Sequence, residues 1–430
     1  MSAAAGTAGV SMPHRRQTLH WGAGGRYGLL GAALAFVALP LYVVLPGHYA
    51  SQFGMSLASL GAILLAARLL DAVVDPWLGR WVDTCLARSR AAGLRLASTA
   101  ALVLGAGFIA LFFPPTLSAA GLLLWCAATL VVTYLGYSTL SVLHQAWGAR
   151  LGGDAGYRAQ VVSWREGFAL AGVLMASLLP SLMGLAATAV ALLGLLAVGL
   201  LSLSQAPYRA GTAVGAAPGD WWLPWRSKDF RVLLMLYMTN GIASAIPATL
   251  VLFFIRDRLQ AGHLEAVFLG LYFASAAVSF PLWLRLIARF GLSACWLAGM
   301  ALAMASFGWA AWLGPGDAAL FACVCVGSGL ALGADLAAPN AMLTGVIQRA
   351  GHGQSQEGRY VGWWTAATKL NLALAAGLAL PALAQLGYQP GARDAQALQA
   401  LTWAYCALPC LLKLLAAAGL WLRWRRSSPE

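Results

Sequence analysis

Long apolar blocks, separated by polar or Gly/Pro-rich breaks, run through the whole chain. A helix needs about 20 mainly apolar residues to cross a bilayer. By that measure the blocks predict twelve spans: 27–46, 57–81, 96–113, 118–141, 160–183, 186–204, 230–255, 265–285, 293–313, 318–343, 360–384 and 397–422. The fifth and sixth are parted only by a short break near Gly184. The longest polar interruption, 205–229, leaves six spans on either side. The sequence therefore divides into a tail (1–26), a first half (27–204), a central loop (205–229), a second half (230–422) and a short C-terminal tail (423–430).

Composition narrows the class. Of 430 residues, 60% are hydrophobic and 10% charged, against about 45–50% and about 25% in soluble domains. This excludes an ordinary cytosolic enzyme, a disordered chain and a nucleic-acid-binding domain, in spite of the net charge of +13. The seven cysteines have neither zinc nor redox spacing and mostly sit in apolar runs, so no disulfide framework or metal site is expected. With both termini placed in the cytoplasm, 20 of the 27 basic residues fall on the inner side and only Arg256, Arg258 and Arg393 on the outer, as the positive-inside rule requires. The first residues, Arg15 and Arg16 included, read as a cytoplasmic tail and not a signal peptide. The expected location is a bacterial-type inner membrane.

A weak echo links the halves. The second span ends in Gly79-Arg80-Trp81-Val82-Asp83, and the eighth in Pro281-Leu282-Trp283-Leu284-Arg285 with Arg289 following. Two six-helix halves of like layout are the architecture of major facilitator transporters, with the substrate site between the halves near mid-membrane. The fold class is thus all-α and integral to the membrane.

Four basic residues remain inside spans: Arg68, Arg165, Lys369 and Lys413. Intramembrane charge is costly and marks candidate function. In the second span Arg68, Asp71 and Asp75 are spaced i, i+3, i+7 and share one helix face. Two carboxylates a turn apart repel, so a proton, a cation or a basic side chain must settle between them. One reading is a site for Na⁺ or H⁺; another is a structural Arg68–Asp71 bridge. Asp83, beside Arg88 and Arg90, reads as a gating or capping pair near the cytoplasmic mouth. Lys369 lies deep in the eleventh span; it either snorkels or meets the helix-two carboxylates. Arg165 is expected to pair only weakly with Glu166, since sequence neighbours on a helix diverge. Asp335, Pro339 and Asn340, with Gly327, Gly329 and Gly333, read as a bending element in the tenth span. Trp221, Trp222 and Trp225 fit an interfacial belt, while Trp363 and Trp364 are candidate cavity residues.

The run Arg68-x-x-Asp71-x-x-x-Asp75-Pro76-x-x-Gly79-x-x-x-Asp83 resembles the helix-two signature of the glycoside–pentoside–hexuronide:cation symporters. Ala149-Arg150-Leu151-Gly152-Gly153-Asp154 with Arg158 and Trp164-Arg165, and Ala338-Pro339-Asn340 through Glu357-Gly358 to Lys369, are similar to further stretches of that family. The resemblance covers about residues 26–425. It implies that Asp71, Asp75, Ser138 and Lys369 form the cation site and that Arg165 contacts sugar. Ser141 and Trp364 join the expected substrate site, and Arg68, Asp83 and Arg88 the gating pairs. The chain departs from the family where sugar-binding acids are expected: Ala35 and Ser141 stand there, with Val74 before the second carboxylate and Gly345 and Gln348 after the tenth span. Sugar hydroxyls want carboxylate acceptors, so the apolar helix-one face argues against a typical sugar and a more amphiphilic substrate fits better. Related facilitators carry lysophospholipids, whose phosphate Arg165 or Lys369 could meet.

The sequence thus predicts a secondary transporter, a cation-coupled symporter of a sugar, glycoside or other small organic solute. The alternative is a lysophospholipid transporter or scramblase on the same fold. No enzyme is expected: His144 is the only histidine near a span interior, and no nucleophile set converges. No cofactor beyond the coupling ion is expected, and the partners are a small-molecule substrate and the bilayer, with no nucleic acid and no obligate protein.

Overall fold

The computed structural model describes residues 20–151, 155–208, 222–352 and 357–427. Arg15, Arg16, Asp154, Arg209 and Trp221 lie outside the described residues, as does the side chain of Arg158. Every regular element among the described residues is helical. The spans are α1 (Trp21–Phe53), α2 (Leu57–Arg88), α3 (Arg90–Phe112), α4 (Ala119–Arg150), α5 and α6 (together Ala155–Gln205), α7 (Lys228–Arg258), α8 (Glu265–Phe290), α9 (Leu292–Ala310), α10 (Ala318–Arg349), α11 (Glu357–Gln385) and α12 (Ala395–Arg423).

Local chemistry sets these limits. Ser56, Ser89, Ser118, Ser227 and Asp394 each accept a first-turn backbone N–H and so start α2, α3, α4, α7 and α12. Ser89 also ends α2, so one residue makes the whole turn between two spans. At Gly184 the backbone takes φ +80° and ψ 175°, a conformation open to glycine. That one residue divides 155–205 into two spans, and the count of twelve stands. Three π-helical turns, at Pro40–Val44, Phe254–Arg258 and Trp403–Ala407, interrupt α1, α7 and α12.

Close helix contacts rest on small residues, as expected where lipid gives no hydrophobic drive between helices. A Cβ on Gly172 of α5 would lie 2.1 Å from the carbonyl oxygen of Ala32 on α1. In the second half, a Cβ on Gly329 of α10 would lie 2.2 Å from the carbonyl oxygen of Tyr272 on α8. The halves meet through α2 against α11 and α5 against α8. At the end opposite the termini this seam is tight: Gly61 packs on Pro381 and the Ala376 carbonyl, Gly377 on Leu65, and Gly270 on Leu178.

The loops at that end are tied down by Asp257. Its carboxylate accepts from Tyr388 Oη at 2.5 Å and Gly391 N at 2.8 Å, and its carbonyl from Arg393 Nη1 at 2.8 Å. Burial and the Asp257 carboxylate push the Tyr388 hydroxyl far above the usual phenol range, so it remains a donor. Arg256 holds Glu265 through both Nε and Nη2.

Candidate functional site

The helix-two triplet does share one face, and that face meets the other half. Arg68 and Asp71 are 5% and 2% exposed, in a span where an unpaired charge would be costly. Arg68 Nη1 lies 3.6 Å from Asp71 Oδ2, and its guanidinium sits 3.9 Å from the Tyr134 ring centre and 5.7 Å from that of Tyr42. The cation is therefore shared between a carboxylate and aromatic faces.

Lys369 reaches across from α11. Its ammonium donates to Asp75 Oδ2 at 2.5 Å and to Ser138 Oγ at 3.0 Å, and stands 3.0 Å from Asp71 Oδ2. Ser138 in turn donates to Asp71 Oδ1 at 2.5 Å. Asp71, Asp75, Ser138 and Lys369 thus form one cluster, built by α2, α4 and α11. The lysine does not snorkel; its side chain is 15% exposed and ends between the carboxylates. Asp75 Oδ1 is buried with no hydrogen-bond donor, and Asp71 Oδ2 is met only by the Lys369 and Arg68 ion pairs. Buried polar atoms are nearly always satisfied, so the unsatisfied Asp75 oxygen makes this cluster the candidate site.

The other predicted residues lie apart from this cluster. Asp83 pairs with Arg150 of α4, Nη2 to Oδ1 at 3.1 Å, and not with Arg88 or Arg90. Arg88 is exposed, while Arg90 donates to the carbonyls of Ser204 and Ala206 at the end of α6. Nearness in sequence misled here, because Ser89 turns the chain between them. The Arg165–Glu166 pair is also closer than expected: Nη2 and Nε both donate to Glu166 Oε1, at 2.6 and 3.1 Å. Long side chains from adjacent positions bend toward each other although their Cβ atoms diverge. Ser141 is half-buried and accepts from Gln145 Nε2 at 3.2 Å. Trp364 is 5% exposed, stacked on Tyr237 at 3.9 Å between ring centres, and donates to Asn340 Oδ1 at 2.9 Å. Trp363 packs against Trp222 and Trp225.

One buried network was missed. Asp335, read as part of a bend, is a hub: Oδ1 accepts from Asn240 Nδ2 at 3.0 Å and Trp296 Nε1 at 2.9 Å. Its Oδ2 accepts from Ser244 Oγ at 3.2 Å and Lys413 Nζ at 2.9 Å. Lys413 also donates to Asn240 Oδ1 at 2.8 Å. The available signal was the presence of opposite intramembrane charges on α10 and α12.

A family profile described as MFS/sugar transport protein matches residues 26–423. The chain belongs to that family. Two relatives from Escherichia coli strain K12 align in part with this facilitator. The putative glycoside/cation symporter YagG is 32% identical over 152 residues, and the inner membrane symporter YicJ 30% over 156. These alignments cover 35% and 36% of this chain, and the chain spans only 33% of the length of each relative. Among solved structures, the nucleoside transporter NupG superposes with a TM-score of 0.69 at 13% identity, over 93% of this chain and 99% of its own. A bacterial homolog of the human lysosomal transporter Spinster gives 0.68 at 13%, over 94% and 96%. These share the fold. The chain is a multi-pass membrane protein of this transport family.

Proposed function

We propose that this facilitator is a cation-coupled symporter of a sugar or glycoside, and that Lys369 serves as the cation site's own ion in the unloaded state. The observation that carries this reading is the Lys369 ammonium lodged between Asp75, Ser138 and Asp71 across the seam. With both carboxylates ionised, Arg68 and Lys369 already balance them. An incoming Na⁺ or proton therefore displaces the lysine, and the freed ammonium turns to the substrate path. Ion and substrate then bind in concert, which is what symport requires. Asp71, Asp75 and Ser138 supply the oxygens, Arg68 holds Asp71, and Arg165 with Ser141 faces substrate.

The names of YagG and YicJ support symport, and that of YagG a glycoside. Arg165 already answers Glu166, which weakens its case as a phosphate ligand and favours a neutral, sugar-like cargo over a lysophospholipid. The clustering of basic residues toward the end that carries both termini supports an inner-membrane protein with cytoplasmic termini. The test is uptake of radiolabelled glycosides into proteoliposomes under imposed Na⁺ or proton gradients. The reading expects one gradient to drive accumulation and Asp75→Asn to abolish it. Uptake indifferent to both gradients would overturn it.

A further inference from the structure

At the end that carries both termini, the second half opens a hollow of about 840 Å³ between α7, α9, α10 and α12. No residue of the cation cluster lines it. Three cations do: Lys228 begins α7, Arg349 ends α10 and Arg423 ends α12. Asp229 is the one carboxylate on the wall. Arg423 Nη2 holds that carboxylate at 2.9 Å. Arg349 comes no nearer to it than 4.0 Å, through Nε, and its Nη groups donate to nothing among the described residues. Lys228 has no partner among the described residues. Exposed cations are ordinary at a membrane surface. Here three of them, from three helices, converge on one concavity with a single carboxylate between them.

The turn Gly291–Ala294 forms another part of the wall, and no side chain caps α9 there. Its first-turn N–H groups add to the positive field that the side chains already make. Phe290 and Leu422, also on the wall, are 57% and 52% exposed. In a chain that spans a bilayer, exposed apolar side chains near a helix end meet acyl chains. A basic hollow between helix ends, beside a lipid-facing edge, has the chemistry to hold a lipid phosphate.

We propose that this hollow seats the headgroup of an anionic phospholipid from the adjoining leaflet. The phosphate takes Lys228 and the two Nη groups of Arg349, whose fork suits paired oxygens, while Arg423 stays on Asp229. The acyl chains leave over Phe290 and Leu422. A soluble phosphate makes the same ion contacts and gains nothing from those two side chains, so the site favours the lipid. The bound headgroup links α7 to α10 where Asp229 bridges them only loosely. The proposal is independent of the cargo.

Lipid titration of the full-length protein in neutral detergent, read by native mass spectrometry, tests it. Phosphatidylglycerol should bind more tightly than phosphatidylcholine. Lys228→Gln with Arg349→Gln should weaken phosphatidylglycerol roughly thirtyfold, the effect of two cations at a membrane surface, and leave phosphatidylcholine unchanged. Ser293→Asp keeps both cations but adds a carboxylate to the wall, and should weaken phosphatidylglycerol too. Arg95→Gln removes an exposed cation outside the hollow and should change nothing. Four results would each overturn the site: wild-type affinity in the double variant, equal affinity for the two lipids, a loss in Arg95→Gln as large as in the double variant, or displacement of the lipid by an equal concentration of glycerol phosphate.

Discussion

Lys369 and Lys413 are both intramembrane lysines hydrogen-bonded to aspartate, yet their surroundings differ in kind. Lys413 lies within one half, where it joins α12 to α7 and α10. Asp335 receives four hydrogen bonds, from Asn240, Trp296, Ser244 and Lys413, and neither of its oxygens lacks a donor. Lys369 instead joins α11 to α2 and α4 across the seam, and Asp75 Oδ1 beside it has no donor. A fully satisfied charge network holds a bundle together. On the symport reading, an incompletely satisfied one that bridges the two halves is broken and remade in each cycle. The difference separates scaffold from machinery more clearly than burial does, since both lysines are largely buried.

The largest effect that would break this comparison is on stability. Lys413→Met strands the Asp335 carboxylate and should cost about 3–5 kcal/mol, read as a lower midpoint in thermal unfolding of the detergent-solubilised protein. Adding Asp335→Leu should recover much of that loss. Should Lys413→Met melt like wild type, the scaffold role is wrong. Next, Asp75→Asn should keep the melting temperature near wild type but lose gradient-driven accumulation. For one-to-one coupling a tenfold ion gradient supports about tenfold accumulation, worth about 1.4 kcal/mol, and the variant should fall to onefold in proteoliposomes. Lys369→Ala sharpens the contrast from the other side. Removing the resident ammonium should cost less stability than Lys413→Met and enlarge the stabilisation by Na⁺ or by acid. A hundredfold excess over the dissociation constant adds about 2.7 kcal/mol, visible as a salt- or pH-dependent midpoint absent from Asp75→Asn. The smallest effect belongs to Arg150→Ala. Asp83 is half-exposed, so losing this pair should cost below about 1 kcal/mol by the same melting assay.

Features confined to one helix were legible in the sequence. The shared face of Arg68, Asp71 and Asp75 follows from helical periodicity, and the twelve spans from apolar block length. Gly184 was visible as a weak break, but its left-handed backbone was not. The approach of Ser138 to the carboxylates came through family resemblance, because no local spacing links it to Asp71, whereas Lys369 pointed to them as one of two ways to settle a deep intramembrane charge. The same barrier hid Asp335 with Lys413 and Asn240, which resembled no motif. Where local reasoning was pressed further it erred: Asp83 was assigned to its sequence neighbours, whereas the turn at Ser89 leaves it to Arg150.

The balance of charge at the seam has a consequence for energetics. With Asp71 and Asp75 ionised and matched by Arg68 and Lys369, the cluster carries no net charge when nothing is bound. Moving a unit charge through 100 mV is worth about 2.3 kcal/mol. On the symport reading, the unloaded carrier is spared that electrical work and makes its return stroke at a rate indifferent to the membrane potential. The voltage then acts on the loaded stroke alone.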